Sequence, residues 1–193
     1  MKHFILSLFA VSALCLCSCV REYIPHEILQ VSKFDKIRTA YNLWYTNPME
    51  MTSDNIQQGE IIPFGTEVVL THMDEDKVCF EINGKKFQIL IADKNLETMH
   101  TFAARTFTTA KAIDLAGTAS EVEFEKMRRG IITEGMTEAQ VLVTYGRPTV
   151  ARTPKLEINT WIYQIGPVQS RRVIFVEGED EDKPRTVSKI FEL

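Results

Sequence analysis

The N-terminal end of the chain sets the strongest constraint on what the rest can fold into. Met1, Lys2 and His3 form a short polar opening, which an almost purely apolar run over residues 4–16 follows. This layout is typical of a secretory signal peptide, and the run is shorter than the roughly 20 apolar residues that a transmembrane helix needs. We therefore predict that residues 1–18 form a signal peptide that takes no part in the fold.

The apolar run closes on Leu16-Cys17-Ser18-Cys19, which resembles the lipobox of bacterial lipoproteins. A small residue precedes Cys19, whereas Cys15 and Cys17 each follow a leucine and fit the pattern less well. The resemblance implies cleavage before Cys19, lipidation of its thiol and a stable membrane anchor of two or three acyl chains. An ordinary signal peptide with a spare cysteine is the alternative interpretation.

The residues after Cys19 bear on localisation and on the tether. Val20 follows the cysteine, and in lipoproteins of two-membrane bacteria an aspartate there is the usual signal for retention in the inner membrane. For a Gram-negative source, valine favours a periplasm-facing lipid anchor in the outer membrane. Residues 19–36 are mixed in composition and contain a proline, so we predict a lipidated tether of low order.

Charge and cysteine content narrow the function classes. The chain has 22 basic and 26 acidic residues without a concentrated basic stretch, which argues against a nucleic-acid partner. Once Cys15, Cys17 and Cys19 are removed or lipidated, only Cys79 remains, so no internal disulfide forms and stability depends on an apolar core. Cys79 lies in the apolar run 78–82 and is predicted to be a buried small hydrophobe, with a reactive or intermolecular thiol as the alternative.

Residues 37–106 have the pattern of a small β-rich domain with a trailing helix. Four segments rich in β-branched and aromatic residues predict short strands, and Asn83-Gly84 predicts a type I′ hairpin between the last two. The stretches 42–45 and 58–66 are similar to the small Src-homology-type β-barrels of bacterial envelope proteins. The predicted N-terminal unit is therefore an antiparallel, barrel-like domain. Its strands are placed at 37–45, 66–72, 77–82 and 85–91, and its helix at 95–106.

Residues 107–117 are predicted to be a linker, although their alanines equally suit a helix, and residues 118–193 form a second unit. Thr118 and Ser120 each begin a capping box, and Gly130 can end the helix that follows. Thr137 with Gln140 starts a further helix. Strands are predicted at 158–165, 171–176 and 186–191. The predicted fold class is α+β, with an α-α-β-β-β unit in which two helices lie on a three-stranded antiparallel sheet.

The second unit carries an ordered set of motif residues, which are Gly135, Met136, Thr137, Gln140, Val141, Tyr145, Gly146, Pro148, Thr149, Trp161, Tyr163, Val173 and Phe175. Their order over residues 120–193 resembles the BamE family, also called the SmpA/OmlA domain. This resemblance implies an outer-membrane lipoprotein domain that helps a β-barrel assembly machine insert outer-membrane proteins. Two points qualify it: an additional β-rich domain precedes the unit here, and the same fold serves β-lactamase-inhibitor-like proteins.

Catalytic chemistry is not predicted. The sequence lacks a nucleophile elbow, a phosphate-binding glycine loop and a metal-ligand spacing of His and Cys, so no catalytic residue, cofactor, metal or small-molecule substrate is assigned. His26, His72 and His100 are interpreted as tether, strand and helix-surface residues. The acidic run 177–182 is interpreted as a solvated hairpin loop in preference to a calcium site. Trp44 and Tyr45 are assigned to the core in preference to a glycan- or peptide-binding surface.

These observations predict a non-enzymatic envelope lipoprotein that binds proteins or acts as a scaffold, in outer-membrane protein assembly or envelope integrity. Its expected partners are the membrane, through Cys19, and envelope proteins that include barrel-assembly components. Two alternatives remain open. One is a peptidoglycan-binding module led by residues 37–106, and the other is an inhibitor of a periplasmic enzyme.

Overall fold

The computed structural model describes residues 22–178 and 183–193. These residues form a mixed α+β fold, which confirms the predicted class. The helices are α1 Pro25–Ile28, α2 Met99–Thr106, α3 Ala112–Ala116, α4 Glu121–Arg128 and α5 Glu138–Tyr145. The strands are β1 Arg38–Thr39, β2 Leu43–Tyr45, β3 Met51–Thr52, β4 Glu60–Ile62, β5 Val69–Met73, β6 Lys77–Ile82, β7 Lys85–Leu90, β8 Phe107–Thr108, β9 Thr160–Gln164, β10 Ser170–Val176 and β11 Thr186–Glu192.

The largest sheet of the N-terminal half, residues 22–110, has the strand order β3-β7-β6-β5. Asn83 and Gly84 join β6 to β7 with φ values of 50° and 81°, which confirms the predicted hairpin turn. Directly opposed across this hairpin, Phe80 and Phe87 stack with ring centroids 5.2 Å apart. Side chains alternate between the faces of a strand, so both rings enter the core with Val78.

The predicted barrel is wrong, because the described residues contain no closed barrel. The strands β2 and β4 pair only with each other, β1 pairs with β8, and β3 joins β7 in parallel. A barrel needs a continuous ladder of tilted strands, and β1 to β4 are only two or three residues long. The antiparallel ribbon of β2 and β4 instead lies against the C-terminal half, residues 111–193, where Trp44 contacts Gly130 and Tyr145.

Two segments predicted to be loosely held are packed onto the fold. The prediction of low order is wrong for residues 23–29. The Tyr23 amide donates a hydrogen bond of 2.8 Å to the Met73 carbonyl, and Ile28 and Leu29 pack against the N-terminal core. The predicted linker 107–117 contains β8 and α3, and α3 agrees with the alternative that the alanines of this segment form a helix. Both segments carry apolar side chains, and packing removes these side chains from water. This explains why the segments are more ordered in the structure than the sequence pattern predicts.

The helices of the C-terminal half begin where the capping patterns predict. Ser120 and Glu123 form the capping box of α4, and Thr137 and Gln140 form that of α5, which confirms both starts. Gly146 ends α5 with a φ of 77°. The strands β9, β10 and β11 form an antiparallel sheet in the order β11-β10-β9. One face of this sheet and the two helices share a single apolar cluster, which includes Met127, Met136, Val141, Tyr145, Trp161, Tyr163, Val173, Phe175 and Val187.

Two side chains differ from the sequence-based assignment in burial. The spacing from Phe124 and Met127 predicts that Ile131 lies in the buried stripe of α4, but Ile132 is buried instead, because the chain turns at Gly130 with a φ of 67°. Cys79 is half-buried, not buried, since it lies on the opposite face of β6 from Val78 and Phe80. Partial burial raises the pKa of its thiol.

Candidate functional sites at the junction and on the open sheet

A buried asparagine joins the two halves of the molecule. The Asn42 side-chain amide donates to the carbonyls of Met127 and Thr144 over 2.7 and 3.0 Å. Its Oδ1 accepts a hydrogen bond of 2.8 Å from the Phe64 amide. Met127 and Thr144 lie in the last turns of α4 and α5, where helix carbonyls have no partner within the helix. Asn42 therefore caps two C-terminal helices from a loop of the N-terminal half.

A second asparagine extends this junction. The Asn55 Nδ2 donates to the carbonyls of Asn42 and Tyr145, each over 3.0 Å, and its Oδ1 accepts a 2.9 Å hydrogen bond from the Trp44 amide. Asn55 has a positive φ of 49°, which asparagine tolerates better than most residues. Both asparagines are buried. Because a buried polar group without a partner is costly, these bonds fix the relative position of the halves.

A cavity of about 510 Å³ lies beside this junction and is lined by both halves. The N-terminal wall carries two aspartates, a glutamate and an arginine, and the C-terminal wall carries two exposed arginines. The wall also includes Pro148 and Thr149, which belong to the motif that resembles the BamE family. The charged lining residues are Asp54, Asp93, Glu97, Arg105, Arg147 and Arg152.

The N-terminal wall is organised by one ion pair. Arg105 binds Glu97 through two hydrogen bonds, of 2.5 Å from Nε and 2.7 Å from Nη2. Burial raises the pKa of the neighbouring Asp54 carboxyl, and the negative charge of Glu97 raises it further. Burial likewise raises the pKa of Tyr41, whose hydroxyl lies 3.4 Å from the Arg105 guanidinium. The Arg105 guanidinium is already occupied by its bidentate pair with Glu97. Arg147 and Arg152 on the opposite wall are therefore better placed than Arg105 to bind an anion.

The second candidate site is the face of the C-terminal sheet that points away from the helices, which we call the open face. The register places Ile162, Arg172 and Phe191 side by side, and Ile174 beside Lys189. Phe191 is 46% exposed, and a fourth apolar residue on the same face, Val176, is 48% exposed. Within β9, β10 and β11, no carboxylate projects from this face. The open face is thus apolar and cationic.

The remaining residues singled out in the sequence are scattered. Cys19 lies outside the described residues, as do residues 179–182 of the acidic run. His72 contacts Glu22 and Asp74, and His100 lies edge-on to the Tyr23 ring, while His26 is in α1. These three histidines are not brought together.

The core assignment is confirmed for Tyr45, which is buried. Trp44 is only half-buried and lies at the junction, where its Nε1 is buried without a hydrogen-bond partner. Asn42 and Asn55 were missed by sequence reasoning. Their only local signal is that each directly precedes an apolar residue, Leu43 or Ile56.

Within the described ranges, no group of three or more His, Cys, Asp or Glu side chains is arranged to hold a metal ion. Across the same residues, every helix is too short or too polar to cross a bilayer. Comparison of the chain with models of protein families, with curated proteins and with solved structures finds no match.

Proposed function

We propose that this chain is a non-enzymatic lipoprotein of the bacterial envelope, anchored through Cys19, that docks a protein partner on the open face of its C-terminal sheet. The observation that carries the proposal is the combination of apolar side chains with Arg172 and Lys189 on a sheet face that no other element covers among the described residues. Exposed apolar surface rimmed by charge is typical of a protein-binding site. The two cations select a partner that presents acidic side chains.

The junction supports a scaffold role. Asn42 and Asn55 tie the half that follows the proposed anchor to the half that carries the open face. A partner docked on that face is then held in a fixed position relative to the membrane. The open face would lose this geometric control if a flexible linker joined the halves.

The likeness of residues 120–193 to the BamE family supports a particular class of partner. In that family the domain assists a β-barrel assembly machine, so we propose that the acidic partner is a component of this machinery. The N-terminal half, which the family's proteins usually lack, would then place the domain at a defined distance from the bilayer.

Site-specific crosslinking tests this proposal. A photoreactive amino acid is placed at Ile174 or Phe191 on the open face, and at the exposed Lys86 of the N-terminal sheet as a control. In living cells, both open-face positions should crosslink to the same barrel-assembly component, and Lys86 should not. The double variant Arg172→Glu/Lys189→Glu should abolish these crosslinks. Equal crosslinking from Lys86, or crosslinks that survive charge reversal, would contradict the docking site.

The cavity beside the junction favours a second candidate, which is binding of a cell-wall peptide. Carboxylates on one wall and Arg147 and Arg152 on the other suit a ligand that carries both an amine and carboxylates, as peptidoglycan stem peptides do. A volume of about 510 Å³ is within the range of small-ligand sites. Calorimetric titration with soluble muropeptides should show binding that Arg147→Ala/Arg152→Ala removes. No heat of binding at millimolar muropeptide would eliminate this candidate.

A further inference from the structure

The chain is fixed to the folded body almost from the point where its described part begins. His72 Nδ1 lies 3.1 Å from a carboxylate oxygen of Glu22, and its Nε2 lies 2.8 Å from Asp74 Oδ2. The next residue, Tyr23, donates its amide to Met73 and packs edge-on against His100 at 4.8 Å. From Glu22 onward the chain is therefore held along the end of β5.

This attachment limits the distance between the body and the proposed anchor. Glu22 is three residues from Cys19, and three fully extended residues span at most about 11 Å. Glu22, beside the end of β5, therefore lies at most about 11 Å from the lipidated residue, only a few ångströms more than the roughly 5–8 Å that the headgroup region adds on each side of the hydrocarbon core. The body is next to the membrane, not at the end of a long tether.

Exposed apolar side chains flank β5 at both ends. Ile24, beside the end of the strand, is 53% exposed. Phe34 is 96% exposed, at the tip of a turn in which the Asp35 amide donates to the Ser32 carbonyl over 3.0 Å. The chain after this turn runs alongside the start of β5, because the Val68 amide donates to the Ile37 carbonyl over 2.9 Å. A five-residue strand is only about 13 Å long, so the segment that carries Phe34 meets β5 about that distance from the end at which Tyr23 holds the chain.

Val69, the first residue of β5, is 64% exposed, and Lys33 is exposed beside Phe34. We propose that the surface defined by Ile24, Lys33, Phe34 and Val69, called the anchor face, rests on the bilayer to which Cys19 attaches the protein. Phe34 inserts among the headgroups, and the adjacent Lys33 contacts lipid phosphates. The inference rests on the proposed lipidation of Cys19. It goes further by specifying which surface of the folded body meets the membrane.

The bilayer is favoured over a protein as the occupant of the anchor face. The short chain between Cys19 and Glu22 brings lipid to the Met73 end of β5, next to Ile24, whatever else binds the protein. Phe34 also stands alone at the tip of its turn with a lysine beside it, in the manner of interfacial anchors that bury one apolar group while the cation stays at the headgroups. A protein interface would present a wider contiguous patch.

Fluorescence quenching by brominated lipid tests the anchor face. The full-length protein is purified from bacterial membranes as the Phe34→Trp variant, with Val168→Trp as the control, and reconstituted into phosphatidylglycerol vesicles that contain bromine-labelled phosphatidylcholine. Val168 is 93% exposed, in the turn between β9 and β10, so the two added indoles start from equal exposure. Both variants share the emission of Trp44 and Trp161, which the wild-type protein supplies as a baseline.

The indole at position 34 should shift to the blue and lose emission in the brominated vesicles, whereas the indole at 168 should do neither. Equal quenching at the two positions, or no quenching at 34, would overturn the anchor face. A blue shift at 34 without bromine quenching would indicate protein contact and would also overturn it. Mass spectrometry of the N-terminal peptide is done first: absence of lipid on Cys19 refutes the proposed anchor, whereas lipid on Cys19 without quenching refutes only the anchor face.

Discussion

The two halves of the molecule differ in how each completes its hydrophobic core. The N-terminal core draws all of its buried residues from between Ile37 and Phe107. The C-terminal core includes a fully buried ring from the other half, Phe64, which lies edge-on to Phe124 with 5.6 Å between ring centroids. Asn42 also caps the C-terminal helices from the N-terminal half. This difference indicates that the stability of the C-terminal half depends on the N-terminal half more than the stability of the N-terminal half depends on the C-terminal half.

The largest expected effect follows from removing the shared ring. Phe64→Ala leaves a void in the C-terminal core, and truncation of a buried phenylalanine typically lowers the free energy of unfolding by about 3–5 kcal/mol. Phe34→Ala, at a position 96% exposed, is the matched control and should leave stability nearly unchanged. Urea denaturation measures both. Equal losses of unfolding free energy in the two variants would contradict the dependence of the C-terminal core on Phe64.

Loss of the junction asparagine should have the next largest effect. Asn42→Ala leaves the Thr144 carbonyl and the Phe64 amide without partners, and it leaves the Met127 carbonyl with only the Gly130 amide. These losses should lower the free energy of unfolding by about 2–4 kcal/mol. Asn95→Ala, at an exposed position in the N-terminal half, provides the control. A thermal melt followed by circular dichroism reports the change, and wild-type stability in Asn42→Ala would show that the junction contributes nothing.

The close approach of Trp44 to Gly130 predicts a third effect. A Cβ at Gly130 would lie 2.3 Å from the indole ring, whereas a Cβ at Gly135 would meet no atom within 4 Å. Both glycines have positive φ, so Gly135→Ala should lower the free energy of unfolding by about 1 kcal/mol and Gly130→Ala by about 1–3 kcal/mol more. Denaturant titration of the pair isolates the contact between the halves. Equal losses of unfolding free energy in Gly130→Ala and Gly135→Ala would contradict the contact between Trp44 and Gly130.

The smallest effect concerns the start of the described chain. His72 forms hydrogen bonds with Asp74 and Glu22, and these bonds, with the Asp74 bond the larger cause, raise the pKa of its imidazole. The stabilisation from protonated His72 is therefore complete below its unfolded-state pKa of about 6.5 and is lost as pH rises through the higher folded-state value. Hydrogen exchange of the Tyr23 amide, corrected for its intrinsic rate, should be slower at pH 6 than at pH 8. His72→Gln should remove this difference, and persistence of the difference would contradict the assignment.

Local patterns in the sequence predicted the parts of the fold that short-range forces determine. The Ser120 and Thr137 capping boxes and the Asn83-Gly84 turn each involve residues within four positions of one another, and all three were confirmed. The barrel was wrong because strand pairing and closure depend on contacts between distant segments. Nothing in the local pattern of β2 indicates that Trp44 packs on a helix end more than eighty residues away.

The candidate sites were predictable only in part. Pro148 and Thr149 were singled out by the family resemblance and line the cavity, but Asp54 and Arg105 were not identified. Asn42 was missed because its hydrogen bonds reach residues 85 and 102 positions away. Such partners leave no periodicity or spacing that a single sequence reveals.

Native-state hydrogen exchange across increasing denaturant tests the dependence of one half on the other most directly. Amides of β6 report on the N-terminal half and amides of β10 report on the C-terminal half. Because the C-terminal core is closed and capped by Phe64 and Asn42, amides of β10 should lose protection at a denaturant concentration no higher than that at which β6 loses it. Protection of β10 that persists after β6 has unfolded would contradict the account.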